Sequence, residues 1–392
     1  MNDVEAAVSA ASGRNVSMAE GSKVGEVKVK ADQLTALGRT ICETDGRAAD
    51  EARLVAENPV MANLRGHDSH GIGALPRYIE NTRSGACVRN THAEIVLDNG
   101  PMITVDGRKG YGQVVARDAM QMGIERARTH GVCIVALRNC HHIGRIGAWG
   151  EQCAEAGLVS MHYVNVHGHK SLVTPFGAAE ARFSTNPYCC TIPRKGCEPI
   201  VLDFATSQVA LGKVRISYSK REQMEPGYLI DSDGNPTTDP GVMWGNGPFG
   251  AILPFGQHKG GGLAVICDLL AGVLTGGLAH SPKTIKPDGR DIINNMLSVL
   301  IDPARLGGHD VWQQDTDDFI AWVKLARPQP GTAEVLMPGE PERARRADRL
   351  ANGVPLDQTT WQQLVDTARL VGLSAADVTV ISGVAARAVE GR

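Results

Sequence analysis

The feature that most constrains the fold is an apolar run, Cys133–Leu137, that leads into two histidines, His141 and His142, and then into glycines. An apolar run followed by spaced glycines and an amphipathic stretch is typical of a strand, a tight turn and a helix. This pattern places His142 at a helix N-terminus, where backbone N–H groups would face an anionic substrate. Chemistry is therefore predicted at a strand end.

Further short β-rich runs alternate with glycine loops and a helical stretch between residues 131 and 211. These runs are Cys133–Leu137, Val159–Val166, Cys190–Ile192 and Ile200–Asp203. Two shorter runs, Ile95–Leu97 and Ile103–Asp106, precede them. Alternation of strands and helices predicts an α/β fold with a site along the strand ends.

Apolar residues recur at helical spacing in several other places. The first is Val27–Leu64, where Asp32 is a candidate N-cap and Pro59 should end or kink a helix. The others cover residues 113–129, 263–274 and 360–371. Because 263–274 is apolar but too short to span a bilayer, we expect a core helix there.

The composition excludes several classes of protein. The 392 residues carry a formal net charge of −3 with six Phe, six Tyr and five Trp, so the basic, aromatic surface of a nucleic-acid binder is not expected. No apolar stretch is long enough to span a membrane, and the N-terminus lacks a signal-peptide core. Nine cysteines without a Cys-x-x-Cys pair favour packing over disulfides. We therefore expect a cytoplasmic protein without membrane or nucleic-acid partners.

A second histidine segment, Gly66–Gly71, contains Ser69 and His70 side by side. A hydroxyl next to an imidazole, in a loop where glycine allows close backbone approach, is suited to moving a proton. The segment lacks the Gly-x-Ser-x-Gly sequence of a hydrolase, so an acyl-enzyme is not expected. A zinc site of His67, His70 and His142 would need a helix or a Cys-x-x-Cys framework that is absent. No metal is predicted.

No Gly-x-Gly-x-x-Gly follows a strand with an acidic residue about twenty positions further on, so a standard Rossmann site is not expected. Three other segments are candidate loops for an extended anionic ligand. They are Val173–Gly177 with Ser184–Pro187, Leu202–Ser207 with Lys213, and Pro254–Gly262. In the last segment, Lys259 offers a cation among glycines just before a helix.

Together these segments resemble the malate/L-lactate dehydrogenase family of NAD(P)-dependent oxidoreductases, which is distinct from the Rossmann-type lactate dehydrogenases. The resemblance covers about residues 27–373. Its motifs are Gly66–Gly71 with Tyr78, His142-x-Gly144, Thr174–Gly177, Ser184–Pro187, Asp203–Ser207, Lys259–Gly262, Pro338–Glu340 and Gly353–Leu356. Several separated motifs in one order are more specific than any single motif.

The resemblance implies a non-Rossmann α/β fold, in which a mixed-sheet cofactor domain packs on a helix-containing domain built from both chain ends. Residues 131–314 are then the NAD(P)-binding domain, and residues 27–130 with 315–375 are the substrate and dimerisation domain. Residues 1–26 are predicted to be a loose N-terminal extension and residues 376–392 a C-terminal tail. A homodimer is also implied.

The implied activity is that of an NAD(P)-dependent 2-hydroxycarboxylate dehydrogenase, which is a 2-oxo acid reductase in the opposite direction, with NAD or NADP as cofactor. The resemblance places Ser69, His70 and Asp203 in the active site, and His142 where other members are assigned their acid/base. Oxidation removes the hydroxyl proton while C2 gives a hydride to nicotinamide, so a base of near-neutral pKa must reach the oxygen. The sequence favours His142 as this base, and His70 with Ser69 and Asp203 is the other arrangement.

The resemblance also implies binding roles. Substrate contacts are expected from Tyr78, Arg77 and Thr174. Cofactor contacts are expected from His142, Gly144, Thr174, Gly177, Asp203, Phe204, Ala205, Lys259, Gly260 and Gly261.

The chain departs from the family pattern near its first motif. Many members have an arginine five residues after the serine, where this chain has Ala74, and Ala178 replaces a second glycine. A missing arginine implies a roomier, less charged pocket, suited to a bulkier 2-oxo acid than malate or sulfolactate. The alternatives are a cyclic imine reductase of the piperideine-2-carboxylate type, a ureidoglycolate-type dehydrogenase, and a non-catalytic protein with the same fold.

Overall fold

The computed structural model describes residues 26–245, 247–286, 291–307 and 309–386. The predicted N-terminal extension lies outside these residues apart from Glu26, and so does the end of the predicted C-terminal tail, residues 387–392. The described residues contain eleven α-helices: α1 Ala31–Thr44, α2 Ala49–Leu64, α3 Leu75–Arg83, α4 Gly112–His130, α5 Gly147–Glu155, α6 Leu211–Lys220, α7 His258–Cys267, α8 His309–Lys324, α9 Glu340–Asn352, α10 Gln358–Val371 and α11 Ala375–Ser382.

They also contain twelve strands: β1 Glu26–Val29, β2 Glu94–Asn99, β3 Met102–Asp106, β4 Val132–His141, β5 Val159–His167, β6 Tyr188–Arg194, β7 Cys197–Phe204, β8 Leu229–Ile230, β9 Pro236–Thr237, β10 Ala251–Ile252, β11 Ile293–Ile301 and β12 Val354–Asp357. Seven of them form one sheet in the order β2-β3-β4-β11-β5-β6-β7. Only the β3–β4 pair is parallel, so the sheet is mixed. The predicted α/β fold class is confirmed, and each predicted β-rich run lies inside one of these strands.

The centre of this sheet is β11, which pairs antiparallel with β4 on one side and β5 on the other. Its residues are buried almost throughout, as expected of a strand covered on both faces. The register against β4 shifts between Asn294 and Met296. At this irregularity Asn294 Oδ1 accepts a hydrogen bond from the Ile143 backbone N–H at 3.0 Å, which holds the turn that carries His142.

The helices from the two chain ends share one core. Buried side chains of α1, α2, α3, α10 and α11 pack together, and β1 pairs antiparallel with β12. One local expectation was wrong here: Lys30, rather than Asp32, precedes the first turn of α1. Pro59 is buried inside α2 and does not end it.

Strands β8, β9 and β10 form a second small sheet, in the order β10-β8-β9, beside a separate apolar cluster. The apolar stretch after this sheet is helical as predicted, since α7 passes at Asp268 into a π-helical segment that ends at Leu274. The prediction of a core helix was wrong, because several of its apolar side chains are exposed: Val265, Ile266, Leu269, Val273 and Leu274. Within the described ranges, no helix combines the length and the apolar character that crossing a membrane requires.

Candidate active site

Three chain segments bring the candidate site together. Ser69 and His70 lie on a 3₁₀ turn between α2 and α3, His142 follows β4, and Asp203 lies near the end of β7. His142 is not at a helix N-terminus, so that expectation was wrong. Helix α5 begins five residues later, at Gly147, because Gly144 adopts a left-handed φ of +70° that keeps the turn non-helical.

His70 and His142 stack face to face. Their ring centroids are 5.5 Å apart and the ring planes differ by only 7°. The Nδ1 atom of each ring meets a hydroxyl: Ser69 Oγ lies 3.1 Å from His70 Nδ1, and the Tyr78 hydroxyl lies 2.6 Å from His142 Nδ1. Neither Nε2 atom has a hydrogen-bond partner within the described part of the chain, so both are left for a bound molecule.

The hydrogen bonds around Tyr78 fix the tautomer of His142. Gln113 Nε2 donates to the Tyr78 hydroxyl at 3.0 Å, and only 1% of Tyr78 is exposed. A buried hydroxyl hydrogen needs an acceptor, and here His142 Nδ1 is the one in reach. Tyr78 therefore donates to Nδ1, and neutral His142 carries its proton on Nε2.

Burial keeps both rings neutral. Desolvation, helped by the charges of His67 and Arg145, lowers the pKa of His70 to about 4. Desolvation also lowers the pKa of His142 well below its usual range, with further contributions from neighbouring His70 and His141. At neutral pH each imidazole is thus a neutral donor and acceptor.

Asp203 is paired with Arg145. The Gly147 N–H donates to Asp203 Oδ2 at 2.8 Å, and Arg145 Nε lies 3.3 Å from the same oxygen. Burial raises the pKa of Asp203, and Arg145 opposes that shift. A Cβ at Gly147 would lie 2.7 Å from Asp203 Oδ2, so only glycine fits. Among the described contacts, none joins Asp203 directly to His70.

The three predicted ligand loops meet beyond the end of β7. Val173 forms an isolated bridge with Ile252, and the Phe255 N–H donates to the Thr206 carbonyl at 3.0 Å. The ring of Phe255 contacts that of Phe204 edge to face, with centroids 5.1 Å apart. These contacts bring sequence-distant loops to one edge of the sheet, which is where open α/β sheets bind ligands.

Individual residues of these loops have distinct surroundings. The buried Thr174 hydroxyl donates to the Ala178 carbonyl at 2.8 Å, which holds its own loop closed. Lys259 is exposed in the first turn of α7 rather than just before it. Gly260 is obligatory, because a Cβ there would lie 2.2 Å from the Phe255 carbonyl oxygen. Gly177 has a left-handed φ of +80°.

His67 was one of the three histidines considered above for a zinc site, and its Nε2 lies 3.6 Å from Glu342 Oε1. Over the residues that the structure describes, no group of three His, Cys, Asp or Glu side chains has the arrangement of a metal site.

The model of the malate/L-lactate dehydrogenase family matches residues 29–365. The chain belongs to this family. It is 45% identical over 328 residues to hydroxycarboxylate dehydrogenase B of Escherichia coli O157:H7, covering 84% of this chain and 90% of that protein. It is 40% identical over 339 residues to L-lactate dehydrogenase of Cupriavidus necator, covering 86% of this chain and 96% of that one.

Solved structures agree with the family assignment. The sulfolactate dehydrogenase of Methanocaldococcus jannaschii superposes with a TM-score of 0.79 at 30% identity, covering 90% of this chain and 99% of that one. The protein is therefore an oxidoreductase of a family whose dehydrogenases generally use a nicotinamide cofactor.

One feature of this dehydrogenase that sequence reasoning missed is a cavity of about 360 Å³ beside the Arg145–Asp203 pair. Its lining includes four arginines and four glutamates: Arg65, Arg145, Arg194, Arg343, Glu151, Glu155, Glu198 and Glu342. Arg65 Nη1 is buried and makes no hydrogen bond to any described residue. The cavity also borders Gly339, so the Pro338–Glu340 motif was the one signal in the sequence that pointed to it.

Proposed function

We propose that the protein catalyses reversible NAD(P)-dependent oxidation of 2-hydroxy acids to 2-oxo acids. The observation that carries this proposal is the stacked pair of His70 and His142, whose two Nε2 atoms are left for one substrate oxygen. One base and one hydrogen-bond donor on the same oxygen are what interconversion of a hydroxyl and a carbonyl requires.

The hydroxyl partners of the two rings support different roles. Because Tyr78 donates to its Nδ1, His142 presents an Nε2–H that donates to the substrate oxygen. Ser69 is exposed, so its hydroxyl is able to accept from His70 Nδ1–H, which leaves the Nε2 lone pair as a base. We therefore assign the acid/base role to His70, the second of the two arrangements that the sequence left open.

In oxidation, the substrate hydroxyl proton passes to His70 Nε2, and the electrons of the O–H bond form the carbonyl π bond. Bound nicotinamide supplies the acceptor for the hydride that leaves C2. His142 stabilises the negative charge that develops on oxygen, through its Nε2–H. In reduction, protonated His70 returns the proton to the same oxygen.

Lys259 and the buried Arg65 Nη1, which lacks a hydrogen-bond partner among the described residues, offer cations to an anionic dinucleotide, although glutamates balance the other charges of the cavity. Cationic side chains lie on both sides of Asp203: the arginines of the cavity border the first half of β7, and Lys259 belongs to the loop that contacts Phe204. Arginine suits bidentate binding of a pyrophosphate, and the buried Arg65 Nη1 lacks a partner. Asp203, Phe204 and Ala205, at the strand end near the histidines, would then hold the nicotinamide end.

The substrate proposed is a 2-oxo acid with a larger, less charged side chain than oxaloacetate. Ala74 is small, uncharged and only partly buried at the start of α3. Without the long side chain of an arginine there, an apolar substrate side chain gains space. The homodimer implied by the family resemblance and the cytoplasmic location expected from the composition stay predictions.

A cofactor-by-substrate panel tests the proposal. Purified protein is assayed with NADH and NADPH against pyruvate, bulkier 2-oxo acids, oxaloacetate and a cyclic ketimine carboxylate, with absorbance of the reduced nicotinamide as the readout. Turnover highest with bulky 2-oxo acids is expected. Preference for the ketimine would favour the imine-reductase alternative, and no turnover with any pair would contradict the proposal.

Cofactor binding is tested separately at Lys259. Lys259→Ala should raise the Kd of the reduced cofactor by about tenfold, because a charge-assisted phosphate contact is lost. The matched control is Lys28→Ala, which removes an exposed lysine from β1. An unchanged Kd in both variants would assign Lys259 to the solvated surface and leave the phosphates to the arginine cavity.

A further inference from the structure

Helix α6 closes over the histidine pair from the other side of the site. A Cβ at Gly212, in its first turn, would lie 2.8 Å from Ser69 Cβ. The face of α6 that carries Gly212 therefore packs directly on the loop of Ser69 and His70. Only a glycine allows this approach, which brings the next turn of the helix to the mouth of the site.

Arg215 lies on that face. Residues three apart are neighbours on a helix surface, so Arg215 follows Gly212 on the side that faces Ser69. Its side chain is exposed, and it forms no hydrogen bond or ion pair with any residue that the structure describes. A cation without an anionic partner thus lies beside the substrate-facing loop.

Arg77 approaches the same place from α3. The next residue, Tyr78, meets His142 Nδ1 through its hydroxyl at 2.6 Å, which places Arg77 near the histidine pair. The charge of Arg77 acts on His142, and Arg215 is among the charges that act on Arg77 itself.

Arg77 follows Ala74 by three residues and shares its side of α3. Two arginines from different helices therefore converge near position 74, where the family arginine is missing. Glu80 and Asp291 offset part of the charge of Arg77, so Arg215 is the cation that a bound anion would neutralise.

We propose that Arg215, together with Arg77, binds the carboxylate of the substrate and replaces the arginine that many family members carry at position 74. This inference rests on the proposed 2-oxo acid reductase function and adds the residue that selects for the acid group. Because α6 supplies one arginine and α3 the other, the carboxylate is held between the two helices while the keto oxygen faces His70 and His142.

Arg215→Ala tests the inference with two substrates that differ in one charge. The KM for a 2-oxo acid should rise by about ten- to a hundredfold, the usual loss for a charge-assisted contact. The KM for the ethyl ester of the same acid, which has no carboxylate, and the Kd of the reduced cofactor should not change. Lys220→Ala, at the other end of α6, is the matched control and should resemble the wild type.

Rescue makes the test specific. Adding Ala74→Arg to Arg215→Ala should restore most of the lost selectivity for acid over ester, because it returns a cation to the family position. Equal changes of KM for acid and ester, or no change for either, would overturn the role of Arg215. Arg215→Gln, compared by thermal unfolding, separates an effect of charge from loss of folding. A wild type inactive with every 2-oxo acid would instead contradict the proposed function itself.

Discussion

The turn that carries His142 and the loop that carries His70 each position an imidazole, but they do so through different contacts. Buried side chains hold the His142 turn: Asn294 accepts a hydrogen bond from the neighbouring Ile143 N–H, and Tyr78 binds the ring of His142. Exposed side chains hold the His70 loop: Asp68 forms an ion pair with Arg349 at 2.6 Å, and Ser69 binds the ring of His70. The two rings stack on each other, but one has an exposed hydroxyl partner and the other a buried one.

This difference indicates that the burial of the hydroxyl partner determines whether the imidazole is held in one tautomer. A buried tyrosine hydroxyl with one acceptor must donate, and it locks the imidazole in one tautomer. An exposed serine hydroxyl is able to donate or accept, so the ring beside it can lose and regain a proton on Nε2. Under the proposed function, we therefore assign proton transfer to His70 and a fixed hydrogen bond to His142.

The largest effect should separate the two histidines. His70→Ala should lower kcat by about 10² to 10⁴, the usual loss of a general acid/base, with little change in cofactor affinity. His142→Gln keeps an N–H donor and should lower kcat by only about tenfold. Steady-state kinetics of both variants at one pH provides the comparison. Near-normal turnover in His70→Ala with a large loss in His142→Gln would reverse the two assignments.

The sequence located the parts of this site but not their contacts. Ser69, His70 and His142 stand in recognisable motifs, yet their stacking depends on two loops more than sixty residues apart in the chain. The pairing of Asp203 with Arg145 depends on the start of α5 at Gly147, whose N–H also donates to Asp203 Oδ2. Arg145 carries no signal except its place after the histidines.

The fold was predictable where structure is local. Apolar, β-branched runs marked the strands that bear the site, because side-chain period and composition are set within a few residues. The central strand β11 was not predicted from the sequence, because Asn294 and Asn295 interrupt its apolar run. Both asparagines bind backbone N–H groups of the β4 end, at Ile143 and Asn139, and these non-local bonds are what make polar residues suitable there.

A smaller effect should sharpen the comparison at the tyrosine. Tyr78→Phe leaves His142 Nδ1 and a Gln113 N–H buried without a partner, so the free energy of unfolding should fall by about 1–3 kcal/mol. The ring should also lose its fixed tautomer, which ¹⁵N chemical shifts of the imidazole report. Tyr163→Phe is the matched control, since its hydroxyl has no hydrogen bond within the described residues. Unchanged shifts would show that something other than Tyr78 sets the tautomer.

The smallest effect is a displacement of the pH profile. His70 must be neutral to accept the hydroxyl proton, so kcat/KM for oxidation should stay level below pH 7 and fall only as the pH drops through the pKa of His70, about 4. For reduction the sign reverses, because the protonated form is then the active one. The charge of His67 helps to lower the pKa of His70, so His67→Gln should move the inflection to higher pH by a fraction of a unit. His142→Gln should leave the pH of the inflection unchanged, because His142 does not contribute to this shift. Stopped-flow assays after a brief pH jump measure the profile before acid unfolding intervenes. An inflection near 6.5, the value of a solvated histidine, would show that the proton is carried by a group outside the stacked histidine pair.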